Sequence, residues 1–381
     1  MKNMRFSQLK VVVSIALILN ILEISLPITA RMRSLLAPAA AQTVEGRSQF
    51  LPLPLDRQVQ PPTAAPEDIY RWYPNPGLQP LVTQSIGDRL AEAGRLLDQR
   101  VQQMSKSQYQ EALQSWQQAL AIFQEDRVRS EQPSMSRKGE ASILMNLGVL
   151  YSELNRSQQA IEYFQQALPI FQEIGDRLAE ARTLSNWGGV YNQLEQYQKL
   201  IDYSEQALTI FQELGDRLGE ANALGNLGAG YSSLGQYQRA IKYYQQALPI
   251  HQEVNDRRGE AIVLLNLGNA YGKLNGYQKG IEYYRQALPI FRELGDRNME
   301  AFLLANIGRL YIAYDSPQSA IQFLQQSVEV RESIRVQIRQ LPQADQQSYR
   351  ASFSDDYRLL AELLKQQNRE AEAQHVLDLL N

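Results

Sequence analysis

From about residue 83 to residue 334, small and apolar residues recur at spacings of three and four. That is the period of an amphipathic helix. In one stretch Ala221, Leu224, Leu227, Gly228 and Tyr231 fall on a single helical face. After the turn Gly235-Gln236-Tyr237, a second set follows: Ala240, Tyr243, Tyr244, Ala247 and Ile250. The pattern predicts two antiparallel helices, the second running from about Tyr237 to Val254. Neither could bury its apolar face alone, so neighbouring pairs must stack.

The pair is repeated. Gly175-Asp176-Arg177, Gly215-Asp216-Arg217, Asn255-Asp256-Arg257 and Gly295-Asp296-Arg297 stand 40 residues apart. Gly87 through Ala93 repeats Gly175 through Ala181 letter for letter, eight residues out of register. Those eight residues are read as a loop insertion near Arg127–Ser134. In each first helix the Asp is an expected N-cap and Glu180, Glu220, Glu260 or Glu300 suits the positive end of the helix dipole. Glycine recurs at 148, 188, 228, 268 and 308. Inside a helix it costs about 1 kcal/mol relative to alanine, so close helix–helix approach is expected there. Pro169, Pro249 and Pro289 fall inside second helices and are expected to shape them locally; Ala121, Thr209 and Glu329 replace them elsewhere.

These columns resemble the tetratricopeptide repeat (TPR) family from about Gly87 to Ile334. The resemblance implies an all-α, superhelical solenoid of stacked helix pairs. Residues 83–134 form an atypical first repeat, in which Gln99, Arg100 and Gln103 replace Leu, Gly and Tyr, as a capping unit requires. Residues 135–334 form five units, and 335–381 a helical C-terminal extension, with helices expected over Asp345–Gln367 and Arg369–Leu380.

The two ends carry other signals. Lys2, Arg5 and Lys10 precede an apolar run from Val11 to Leu22, and Ala39-Ala40-Ala41-Gln42 offers a small-residue cleavage site. Residues 1–41 are read as an export signal cut after Ala41, with residues 11–30 as an uncleaved, outward-facing membrane anchor in the alternative reading. Residues 42–82 hold eight prolines and read as a linker. At the other end, Glu332-Ser333-Ile334-Arg335, Tyr357 to Leu364 and Ala373 to Leu380 resemble bacterial proteins in which a TPR arm precedes a caspase-like CHAT peptidase domain. The resemblance reaches only the arm. The chain has no cysteine, so no peptidase nucleophile is carried over. The apolar residues Val376, Leu377, Leu379 and Leu380 are expected to be exposed to a partner.

Charge and composition narrow the function. The formal charge is -3, and -7 once residues 1–41 are removed, which disfavours nucleic acid. No cysteine and only His251 and His375 leave no metal or cofactor set. His251 stands in a column otherwise filled by Phe123, Phe171, Phe211 and Phe291, so a packed ring is expected. The Asp-Arg pairs read as caps and weak surface ion pairs. No nucleophile, base and acid come together, so no enzyme is expected.

One polar column remains. Asn146, Asn186, Asn226, Asn266 and Asn306 occupy one site on five first helices. Asparagine is a mediocre helix former, so this register calls for a role. The resemblance implies that first helices line a concave groove, where such an amide hydrogen-bonds a peptide backbone or carboxylate. Pairing with the next repeat is the other reading. Asn222, Asn269, Arg182, Lys273 and Arg309 share the expected floor, which suits a peptide with a few acidic residues. The chain thus reads as a non-catalytic scaffold for a protein or peptide, or as the regulatory arm of a separately encoded CHAT-type peptidase.

Overall fold

The computed structural model describes residues 109–380 except Leu341, together with Ser85, Asp88, Arg89, Glu92 and Ala93. The expected export segment, the proline-rich linker and Gln99, Arg100 and Gln103 lie outside the described residues. So does the anchor segment 11–30; no helix among the described residues is long and apolar enough to cross a membrane.

Every regular element described is helical. α1 (Tyr109–Gln124) and the short α2 (Asp126–Glu131) precede four helix pairs: α3 (Pro133–Glu153) with α4 (Ser157–Glu173), α5 (Arg177–Gln193) with α6 (Tyr197–Leu214), α7 (Arg217–Ser233) with α8 (Tyr237–Glu253), and α9 (Arg257–Lys273) with α10 (Tyr277–Glu293). α11 (Arg297–Ala313) pairs with α12 (Pro317–Gln337), a 3-10 turn spans Ile338–Gln340, and α13 (Gln343–Gln366) and α14 (Glu370–Asp378) close the described chain. The fold is an all-α solenoid of stacked pairs. Two compact units divide within α7, between Asn226 and Leu227.

The helix ends follow from local chemistry. The carboxylates of Asp176, Asp216, Asp256 and Asp296 accept from backbone N–H groups three residues on, as caps. Gly175, Gly215, Asn255 and Gly295 hold the left-handed backbone that lets the chain leave one pair for the next. The expected loop insertion is helical instead. Its residues supply α2 and, with Pro133 at the helix start, an extra turn of α3. Pro169, Pro249 and Pro289 sit within helices that continue past them, so the proline costs a hydrogen bond without ending the element.

The glycine column meets its expected reason. A Cβ on Gly148, Gly228 or Gly268 would stand 2.7, 2.4 or 2.5 Å from the ring of Phe164, Tyr244 or Tyr284 in the paired helix. Gly188 is the exception, because Ser204 takes the place of that ring and the nearest atoms lie at 3.5 Å. The neighbouring apolar column compensates: Trp187 stands where Leu147, Leu227 and Leu267 stand elsewhere, and its ring lies 4.7 Å from that of Tyr203. A second aromatic motif recurs in every pair. Tyr151–Tyr163, Tyr231–Tyr243 and Tyr271–Tyr283 stack at 5.2, 5.3 and 5.4 Å.

The C-terminal extension is another helix pair in the same style. Its turn uses Asn368 at φ 59°, matching Asn155, Glu195, Gly235, Asn275 and Asp315. The Arg369 N–H bonds the Leu364 carbonyl at 2.9 Å, as the Ser316 N–H bonds that of Tyr311 at 2.8 Å. Val376, expected to be exposed, is buried in the core of this end, and Leu377, Leu379 and Leu380 pack against it. Asp355, Arg358, Glu362 and Lys365 leave α13 with an exposed polar side.

Candidate binding surface

The first turn of each first helix is the most regular polar feature. Arg177 reaches Glu180 Oε2 at 2.6 Å with one guanidinium nitrogen and Glu213 at 2.9 Å with the other. Gln172 from the preceding helix donates to the other Glu180 oxygen at 3.0 Å. Arg257, Glu260, Glu293 and Gln252 repeat the arrangement. Arg89, Glu92 and Glu125 make the same fork, which marks 83–125 as a true unit despite its divergent sequence. Arg297 pairs with Glu300 and meets Ser333 at 3.2 Å where the other forks meet glutamate. The sequence assigned these arginines to weak pairs beside the capping Asp. The fold instead gives them to glutamates that are mostly buried, and one fork ties the start of a first helix to the end of its second.

His251 is fully buried in its phenylalanine column, as expected. Its Nδ1 lies 3.0 Å from Asp256 Oδ2, while the other Asp256 oxygen caps α9 through the Gly259 N–H at 3.0 Å. Burial pushes the Asp256 carboxyl up, but the bonds from His251 and Gly259 outweigh it and hold it below its ordinary value. His251 Nε2 is buried without a partner, so the ring is a packed, singly bonded side chain. Among the described residues no group of three or more His, Asp or Glu could hold a metal ion.

The asparagine column falls between neighbouring first helices. In the unit ending at Asn226, Asn146 is 1% exposed and both its amide atoms lack a partner. Asn226 is 4% exposed and donates to Ser185 Oγ of the preceding pair at 3.3 Å. Asn186 is partly open, as is Asn222. Arg182 is half-buried; burial lowers its guanidinium against the opposing pull of Asp216 and Asp176. In the unit beginning at Leu227, Asn266 is buried with Oδ1 unpartnered, while Asn306 is partly open. Lys273 is exposed.

Two expected floor residues are engaged by the protein itself. Asn269 Oδ1 accepts from the Tyr284 hydroxyl. Arg309 donates to Asn306 Oδ1 at 3.1 Å and to Asp356 Oδ1 from α13. Asp356 and its second partner, Arg331, were not singled out by the sequence reading. Their signal was there: Arg331 stands in the column of Phe171, Phe211, His251 and Phe291.

A fold of stacked helix pairs with Gly and Tyr columns defines the tetratricopeptide class. The tetratricopeptide repeat pattern matches residues 104–173, 179–253 and 259–333, and the chain belongs to that family. No curated protein matches it by sequence. Among solved structures it is similar to a Signal Transduction ATPase with Numerous Domains from Pyrococcus horikoshii that has a tetratricopeptide repeat sensor, with TM-score 0.58 and 20% identity. That match covers 77% of this chain and 41% of the ATPase, so the chain spans less than half of that protein. The apo quorum sensor NprR from B. thuringiensis gives TM-score 0.54 at 15% identity over 79% of this chain and 88% of NprR. BtubC from P. vanneervenii gives 0.50 at 20% over 66% and 92%. At these identities the likeness is one of fold.

Proposed function

We propose that this protein is a non-catalytic scaffold that holds a protein or an extended peptide against the faces of its first helices. The observation that carries the reading is the asparagine column. Amide atoms of Asn146 and Asn266 are buried with no hydrogen bond made, at a cost of about 1–3 kcal/mol for each such group. Asn186 and Asn306 at the same site stay partly open. An amide donates and accepts, so such a row suits an extended backbone running in either direction. Asn226 is the member given to packing, through Ser185. The TPR fold supports a protein partner. The basic start of the chain and its alanine site support export to the periplasm or beyond, with anchoring through residues 11–30 as the other outcome. N-terminal sequencing of the native protein separates the two.

The test compares capture by two proteins starting at Gln42. One is unchanged; the other carries Asn186, Asn226 and Asn266 all replaced by alanine and is checked for helicity and melting. Loss of a specific partner from the folded variant supports the reading. Equal retention moves the interface elsewhere. The C-terminal likeness to CHAT-associated arms supports a second reading, a regulatory arm for a separate peptidase, which then has to copurify with the unchanged protein.

A further inference from the structure

The junction between the last repeat and α13 is built differently from the others. Counting from the left-handed turn residues aligns the columns. One column on the first helices is apolar or small throughout the array, with Ile143, Thr183, Ala223, Val263 and Leu303 all buried, and becomes Asp356 in α13. The column of Phe171, Phe211, His251 and Phe291 becomes Arg331 in α12. Arg331 and Asp356 meet at 2.6 Å, both more than nine-tenths buried. Phe353 stands in the column of the buried glutamates and lies 3.7 Å under the Arg331 guanidinium. The position held by Val149, Gly189, Ala229 and Asn269 becomes Arg309, which takes the other Asp356 oxygen. Four columns have changed together, and the new residues satisfy one another.

The same junction is the loosest. It is the least extensive of the second-to-first-helix contacts within a unit. It is joined by the turn 338–342 rather than a capped Gly-Asp corner. A void of about 10 Å³ remains beside Glu332, Arg335 and Tyr349. The Tyr349 hydroxyl is buried there without a partner. A contact that rests on one buried ion pair and few apolar neighbours is all-or-none: it holds in one register and releases as a unit.

We propose that α13 and α14 form a lid, held on the last repeat by Asp356, whose release frees Asn306 and Arg309 for an acidic group of a bound partner. Asp356 is then the carboxylate that fills this seat when the lid is closed. The lid stands on the junction alone; the acidic ligand rests on the scaffold reading above. Hydrogen exchange of the full chain, read by mass spectrometry, tests the lid. Residues 343–378 should exchange faster than 297–337, and D356N should speed them at least tenfold more while leaving 257–313 unchanged. The double variant R331F/D356A, which restores the array's own apolar columns, should slow them again. Exchange of 343–378 only in step with the last repeat, in all three proteins, overturns the lid. D356N should also take up an oligoglutamate peptide that the unchanged protein binds at least tenfold more weakly, and adding R309Q should abolish the gain. An opened lid with no such gain overturns the acidic ligand and leaves the asparagine test untouched.

Discussion

The Phe291 junction and the Arg331 junction occupy equivalent places in successive repeats and hold by opposite means. At the first, Phe291 and Leu303 belong to one apolar core. At the second, Arg331 and Asp356 are equally buried and hold by charge. An apolar contact is non-directional and accepts any neighbour of the right size, which is why forty-residue units can follow one another. A buried ion pair accepts one partner only, and its breaking is penalised more than its presence is rewarded. The array is therefore repetitive inside and specific at this end.

The sharpest way to break the contrast is D356A, which leaves Arg331 buried and unpaired. A loss of about 3–5 kcal/mol is expected at that junction. Circular dichroism should then show an early transition in denaturant that fluorescence of Trp116 and Trp187 does not follow. Next comes the glycine column. Gly228→Ala puts a methyl 2.4 Å from the Tyr244 ring and should cost about 1–3 kcal/mol. Gly188→Ala meets nothing closer than 3.5 Å. It should stabilise by up to about 1 kcal/mol, from helix propensity. Opposite shifts in chemical denaturation would confirm that Ser204 and Trp187 have relaxed that repeat. H251F should change stability by less than about 1 kcal/mol, because Phe211 already sits over Gly219 in the equivalent place. A larger loss would mean that the bond to Asp256 carries the cap.

The smallest effect is in alkali. Burial pushes the Tyr203 phenol up to about 12. In the unfolded chain it ionises near 10, so above that pH the unfolded state binds fewer protons than the folded one. This contribution to stability is complete below pH 10 and is lost as pH rises toward 12. Y203F should flatten the decline in melting temperature over that window.

The residues that repeat were legible without coordinates. Period and spacing gave the helix pairs, the capping aspartates, the glycine approach and the buried ring at His251. Each depends on positions within one or two turns of helix, or on a column copied many times. What failed was written once. Asp356 looked like one acidic residue among several in α13, Arg331 like a surface arginine, and Val376 like an exposed end. The insertion near Arg127 looked like a loop because its composition is polar, yet Pro133 starts a helix there. The amide column stood out in sequence, but only the fold shows that Asn226 is spent on Ser185 and that Arg309 is already paired.

Sequence by itself determined the all-α repeat and its family, because stacking identical amphipathic pairs is the one arrangement that buries every apolar face. Tertiary structure alone decided which charges are internal. Arg177 finds Glu213, and Arg331 finds Asp356, across distances in sequence that no local period encodes, since a buried charge takes whatever opposite charge the packing brings within reach.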